Sequence, residues 1–237
     1  MRAVLVIEHT EGDGPGHFGE WLAMRGRPMR LVRVHAGEPV PASAASYAGL
    51  CVLGGPMSAN DGHLDHIRAE HGLVRTALDA GVPVIGHCLG GQILARVLGA
   101  GIGRSPAPEI GWHPIDLEPG PHARRWFGEA VRPTVMQWHY EAFDLPAGAT
   151  PLAASTACPR QAFEWGGVHL GLQFHPEADR QKVCGWARAD RDELQALAHV
   201  PTVQRPEALR AGCDPYLPAM RALAHRIYDA WAPGLKD

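Results

Sequence analysis

A thiol, an imidazole and a carboxylate stand in this 237-residue chain where they could build an acyl-transfer site. Cys88 lies in Gly86-His87-Cys88-Leu89-Gly90-Gly91-Gln92, after the apolar run Val82-Pro83-Val84-Ile85 and before a helix-like stretch from Ile93 to Leu98. A side chain on so sharp a strand-to-helix turn projects above the sheet edge, and the flanking glycines remove Cβ atoms that would clash there. The start of a helix also favours thiolate, because its free backbone donors and its dipole stabilise negative charge. The segment therefore reads as a nucleophile elbow. Cys51, Cys158, Cys184 and Cys213 have no such setting and read as structural thiols.

A thiol nucleophile needs a base and a group to orient that base. Gln173-Phe174-His175-Pro176-Glu177 supplies both near the end of the last apolar strand. On extended backbone a spacing of two sends the side chains of His175 and Glu177 to one side, and the proline favours extended backbone for the residue before it. Glu177 can then fix the imidazole tautomer and support its cationic form. It is also placed to act as a first-turn acid of the helix that follows.

These groups need a sheet edge to stand on. Short apolar β-rich runs alternate with helical stretches through the first half of the chain, the pattern of βα units feeding a mostly parallel sheet. Strands are predicted at Ala3 to Ile7, Arg30 to Val34, Gly49 to Leu53 and Val82 to Gly86, and helices at Phe18 to Arg25 and His66 to Ala80. From Gly111 to Phe174 the rhythm becomes strand-like pieces broken by Gly and Pro: Trp112 to Leu117, Thr134 to His139, Gln161 to Trp165 and Val168 to Phe174. These are expected to pair partly antiparallel. Beyond His175 the chain is helical, with Pro201, Pro206, Pro215 and Pro218 expected to cut it into short segments.

Gly-His-Cys-Leu-Gly-Gly-Gln with a later Phe-His-Pro-Glu resembles the class I glutamine amidotransferases, in the branch of stand-alone chains similar to GMP synthase and related to γ-glutamyl peptidases. Gly54-Gly55-Pro56-Met57-Ser58 resembles that family's oxyanion loop, and Glu109-Ile110-Gly111-Trp112 and Gln137-Trp138-His139 resemble segments beside its substrate pocket. The resemblance covers about Ala3 to Glu177. It implies a doubly wound, flavodoxin-like α/β fold, with residues 1–185 as the amidotransferase domain and 186–237 as a helical C-terminal extension packed on it. It further implies that Cys88 attacks the carboxamide carbon of glutamine, that His175 protonates the departing ammonia and that Glu177 orients His175. The N–H groups of Gly55 and Leu89 would hold the oxyanion. Gln92 would sit by the glutamyl part of the substrate, with Gly54, Pro56, Gln137, Trp138 and His139 forming the pocket wall.

Composition narrows the remaining choices. A formal charge of −3 with scattered basic residues leaves no footprint for a nucleic-acid backbone. The first apolar run meets Glu8 too early for a secretory signal, and no stretch is long enough to span a bilayer, so a cytoplasmic protein is expected. No phosphate-cradling Gly-x-x-x-x-Gly-Lys-Ser/Thr and no His-Glu-x-x-His occur, so neither a nucleotide cofactor nor a catalytic metal is expected. Two enzymatic readings remain open: a glutaminase that passes ammonia to a separate synthase subunit, and a free-standing hydrolase of glutathione-like γ-glutamyl conjugates. A cysteine-elbow redox sensor or chaperone-like protein is the third, and the His175/Glu177 pair argues against it.

Overall fold

Along the first strand, alternate residues go to opposite faces of one sheet, and each face has its own helices. In the computed structural model, which describes residues 1–237, β1 (Val4–Glu8) sends Val4 and Val6 to one core and Leu5 and Ile7 to the other. β3 (Gly49–Val52) does the same with Cys51 against Leu50 and Val52. Strands buried on both faces read as unbroken apolar runs, as these do.

The sheet has eight strands in the order β2 (Met29–Arg33), β1, β3, β4 (Val84–His87), β10 (His169–Leu172), β9 (Ala162–Trp165), β8 (Thr150–Ala154) and β6 (Asp116–Leu117). From β2 to β10 the neighbours are parallel, and from β10 to β6 they are antiparallel. This is the α/β, mostly parallel sheet with a few antiparallel strands that the alternating pattern predicts. One face is covered by α2 (Asp65–Asp79) and α3 (Leu89–Val97). The other carries α1 (Gly16–Met24), α4 (Pro121–Phe127) and α8 (Cys213–Trp231), with Phe18, Trp21, Trp126, Tyr228 and Trp231 filling that core. Burying each large apolar side chain stabilises the fold by about 1.5–3 kcal/mol.

A separate antiparallel ribbon joins β5 (Ile102–Pro114) to β7 (Thr134–Phe143). Its register sets Glu109 opposite His139, Ile110 opposite Trp138 and Gly111 opposite Gln137. The two segments singled out as pocket neighbours are thus partners of each other. The ribbon packs on α5 (Arg180–Ala189), α6 (Arg191–Ala196), α7 (Pro206–Ala211) and α8 through a third core that includes Ile110, Trp112, Met136, Val183, Leu194 and Met220.

Residues 185 and 186 both lie inside α5, so the helical stretch expected from residue 186 continues a helix that begins at Arg180. Other expectations need correction. Pro215 and Pro218 do not divide the tail, because α8 runs unbroken from Cys213 to Trp231. Pro215 lies in the first turn, where no helical donor is lost. Pro218 removes the bond to the Asp214 carbonyl, and the helix continues because Met220, Ala224, Ile227, Tyr228 and Trp231 are buried along it. Helix α4 and strand β8 were not expected from the strand-like composition of the middle section.

Candidate active site

In an open parallel sheet, ligands bind beyond the carboxyl ends of the strands. Glu8 ends β1, and the chain continues past the strand ends as His9 after β1, Leu53-Gly54-Gly55-Pro56 after β3, Cys88 after β4 and Gln173 to Glu177 after β10. Glu8, His9, Leu53 to Pro56, Cys88, His175 and Glu177 all line one pocket of about 670 Å³.

Cys88 is the only non-glycine residue with positive φ, at φ 50° and ψ −107°. Such backbone is strained for a residue with a Cβ and persists because its surroundings are packed around it. A Cβ on Gly90 would stand 2.0 Å from the Val52 carbonyl oxygen, and one on Gly91 2.5 Å from that of Leu172. The turn is therefore closed to larger residues at both positions. The Cys88 N–H donates to Leu172 O at 2.8 Å, which ties the elbow to β10. Its thiol lies 3.6 Å from the Trp138 carbonyl and 3.7 Å from Nε2 of Gln173.

His175 Nδ1 is 2.8 Å from Glu177 Oε1, and both side chains are buried. Nε2 of His175 has no partner in the chain, which leaves it free for a reacting group. Burial opposes a charge on this ring, but the Glu177 carboxylate, and then the neighbouring Cys88 side chain, outweigh it and raise the pKa to about 10. Glu177 is itself held well below the usual carboxylate range. Burial works against that, and Lys182, His175 and His87 overcome it. Lys182 Nζ is 3.5 Å from Glu177 Oε1. His87 Nδ1 is 3.2 Å from Glu177 Oε2 without the alignment of a hydrogen bond. The Glu177 carbonyl accepts from the His17 N–H at 2.9 Å, so the start of α1 pins the backbone beneath the pair.

The Gly54-Gly55 loop lies against these groups. A Cβ on Gly54 would fall 2.6 Å from His175 Cε1 and 3.6 Å from Cys88 Cβ, and one on Gly55 2.7 Å from His9 Cβ. The N–H of Gly55 donates to no group in the chain. Leu89 opens α3, so its N–H has no carbonyl within the helix to reach, while its side chain is in the core. Gly54, Gly55, Pro56, Gln92, Trp138 and His139 all line the pocket. The Gln92 amide donates to Glu141 O at 2.9 Å and to Gln173 Oε1 at 3.3 Å, so its nitrogen is engaged within the chain.

Gln137 is elsewhere. It is fully buried, and its Nε2 donates to Gln161 Oε1 at 2.8 Å. Gln161 donates in turn to Glu109 Oε2, which also accepts from Ser155 at 3.0 Å and lies 3.2 Å from His139 Nε2. Gln137 therefore supports the wall from behind. No group of three His, Cys, Asp or Glu side chains is arranged to hold a metal ion.

Several pocket residues escaped the sequence reading. Trp186 of α5 packs edge-on against His175, with ring centroids 5.0 Å apart at 64°, and its Nε1 donates to Asp13 at 2.6 Å. Ala189, Asp190 and Glu193 extend that wall, and Tyr140 donates to Glu193 at 2.9 Å across it. His9 lies 2.9 Å from both Glu70 and the Gly54 carbonyl. Its place one residue past a parallel strand was the signal available for it. The tail residues offered none, since nothing local in a helix says which remote cleft it covers.

The arrangement can support attack by sulfur on a carbonyl carbon, proton transfer through His175 Nε2 and stabilisation of an oxyanion by backbone donors. Residues 20–182 match the profile of the family described as Glutamine amidotransferase class-I. The chain is 35% identical over 199 residues to the glutamine amidotransferase-like protein YfeJ of Salmonella typhimurium, covering 82% of this chain and 83% of that one. It is 34% identical over 208 residues to a glutamine-hydrolyzing GMP synthase of Aeropyrum pernix, covering 82% of this chain but 38% of the synthase. It is 30% identical over 182 residues to gamma-glutamyl peptidase 3 of Arabidopsis thaliana, covering 74% and 73% of the two. Among solved structures, a glutamine amido transferase from Methylobacillus flagellatus superposes with a TM-score of 0.95 at 34% identity, over 100% of this chain and 96% of that one.

Proposed function

The chain belongs to the class I glutamine amidotransferases, and from that membership we propose that it hydrolyses the γ-amide of glutamine through a thioester on Cys88. The observation that carries this reading is the His175/Glu177 pair, with a free Nε2 beside a thiol on a strained elbow. The Cys88 thiol gives its proton to His175 Nε2, and the sulfur attacks the carboxamide carbon. The N–H groups of Gly55 and Leu89 take the oxyanion. One such donor is worth on the order of 3–4 kcal/mol in the transition state. Collapse of the adduct breaks the C–N bond, and His175 returns the proton to the departing ammonia. Water, deprotonated by the same nitrogen, then cleaves the thioester and frees glutamate.

Asp13, Asp61, Glu141, Asp190 and Glu193 face the pocket against Arg104 and Lys182, a balance that suits the ammonium group of a glutamyl substrate. In this reading the ammonia passes to a separate synthase subunit. A cytoplasmic site of action fits with five free cysteines and with the absence of any helix long and apolar enough to cross a membrane.

The pocket volume favours a second reading, hydrolysis of larger γ-glutamyl conjugates such as glutathione. About 670 Å³ lies within the ~300–1,000 Å³ of pockets that enclose drug-sized ligands, which leaves room beyond a single amino acid. The test is glutamate release from glutamine and, separately, from glutathione, with Cys88→Ala as the blank. Turnover of glutamine supports the first reading. Release from glutathione with little from glutamine transfers the assignment to the second, and silence on both sinks γ-glutamyl hydrolysis by the chain alone.

A further inference from the structure

His9 stands at the end of β1 with no part in the proton transfers above, yet it touches the loop that those transfers depend on. Its Nδ1 is 2.9 Å from the Gly54 carbonyl oxygen and its Nε2 2.9 Å from Glu70 Oε2. Both partners are pure acceptors, so both ring nitrogens carry protons. Burial disfavours that charge, but the Glu70 carboxylate and the bond to Gly54 outweigh it and raise the pKa of the ring. Glu70, on α2, is wholly buried, and its other oxygen has no partner. The pair spans the gap between a core helix and the loop.

The geometry of a peptide plane gives this contact a consequence. Gly54 C=O and Gly55 N–H belong to one peptide unit, and no peptide bond in the chain is cis. In a trans unit these two groups point in opposite directions. A donor that holds the carbonyl on one side therefore fixes the N–H on the other. Two adjacent glycines would otherwise let this unit rotate cheaply. We propose that His9, anchored by Glu70, is the positioning residue of the oxyanion site: its Nδ1–H holds the Gly54 carbonyl and so aims the Gly55 N–H at the oxygen of the acyl group attacked by Cys88. His9 also limits the loop sterically, since a Cβ on Gly55 would come within 2.7 Å of its own Cβ. The inference rests on the acyl-transfer reading in taking Gly55 N–H as an oxyanion donor, but it does not depend on which γ-glutamyl compound is the substrate.

Two polar substitutions separate the contacts of His9. The amide of His9→Asn reaches about where Nδ1 stands and keeps a donor for the Gly54 carbonyl. That of His9→Gln reaches about where Nε2 stands and keeps the contact with Glu70. Two probes separate the chemistry. p-Nitrophenyl acetate acylates Cys88 through a tetrahedral oxyanion and expels p-nitrophenolate, whereas iodoacetamide alkylates the same sulfur by displacing iodide, with no oxyanion.

The ratio of acylation to alkylation rates is expected to fall tenfold or more in His9→Gln, short of the ~10²–10³-fold loss of an oxyanion donor outright. In His9→Asn it stays within about threefold of the parent. Alkylation itself is unchanged within about twofold in both, because the thiol and His175 are untouched. Equal ratios in the two variants, or a loss of alkylation in step with acylation, would overturn the proposal and leave His9 a structural residue. Glutamate release by the parent protein is measured alongside. If the parent is silent on glutamine and glutathione while the ester probe still separates the variants, the function assignment fails and the role of His9 stands.

Discussion

Glu177 Oε1 lies 2.8 Å from Nδ1 of His175, with both side chains buried beneath the pocket. A carboxylate there fixes Nδ1 as the protonated nitrogen and leaves Nε2 without a partner, the nitrogen that exchanges protons with substrate in the proposed hydrolysis. Glu177→Gln should therefore keep the shape of the site and lower kcat by about 10²–10⁴-fold, with residual turnover because the base itself remains. Cys88→Ala should have none. Asp79→Asn, an exposed change at the end of α2, is the control and should match the parent in glutamate release. A comparable loss at residues 79 and 177 would contradict the assignment.

The same carboxylate has a second neighbour that shapes acid stability. His87 is wholly buried, and burial, only partly opposed by the Glu177 charge, pushes its pKa down to about 4. Above pH ~6.5 neither the folded nor the unfolded state protonates this ring. As pH falls towards 4 the unfolded chain binds a proton that the folded one refuses, so stability is lost over that window, by about 3 kcal/mol for a shift of this size. Glu177, whose pKa is depressed, adds a further loss below its unfolded value of 4.5. The raised pKa of His175 works at the other end: its contribution is full below 6.5 and lost as pH rises through about 10. Denaturant melts of His87→Leu between pH 7.5 and 4 should show a flatter acid limb than the parent. Parallel curves would mean that His87 does not titrate as described.

The elbow predicts a packing effect distinct from chemistry. A Cβ on Gly90 would sit 2.0 Å from a backbone oxygen of β3, which cannot move without shifting a central strand. Gly90→Ala should cost about 3 kcal/mol or more. Gly72→Ala, in α2 with nothing within 4 Å of the new methyl, should be neutral or stabilising by up to ~1 kcal/mol. Similar melting temperatures for the two variants would refute the steric account.

What the sequence revealed follows from which features are local. The strand-to-helix turn at Cys88, the two-residue spacing of His175 and Glu177 and the apolar runs of β1, β3 and β4 are written in a few adjacent residues. The pairing of Glu109 with His139 depends on the register of strands thirty residues apart, so both segments could be picked out while their relation could not. Gln137 shares a segment with two pocket residues, but its amide enters a buried chain with Gln161, and no local pattern distinguishes those fates. The prolines misled because propensity speaks of an isolated helix, whereas α8 is held by the core beneath it. Trp186 lay beyond reach for the same reason, since its partner His175 is brought to it by packing alone.

That packing makes the last prediction. The indole of Trp186 lies edge-on against the His175 ring, and its Nε1–H is bound to Asp13. Two effects are thus combined in one side chain: an apolar wall that keeps the imidazole in place and water off it, and a tether to the loop after β1. Trp186→Phe keeps the wall and cuts the tether, while Trp186→Ala removes both. If the wall is what supports turnover, the Phe variant should retain kcat within about threefold and the Ala variant should lose tenfold or more, as expected when the orientation of a base is released. Steady-state glutamate release at saturating substrate separates these outcomes, with melting temperatures as the check on folding. Equal losses in the two variants would shift the role from the ring to the bond with Asp13, and the tail would then matter to the site through that loop rather than through His175.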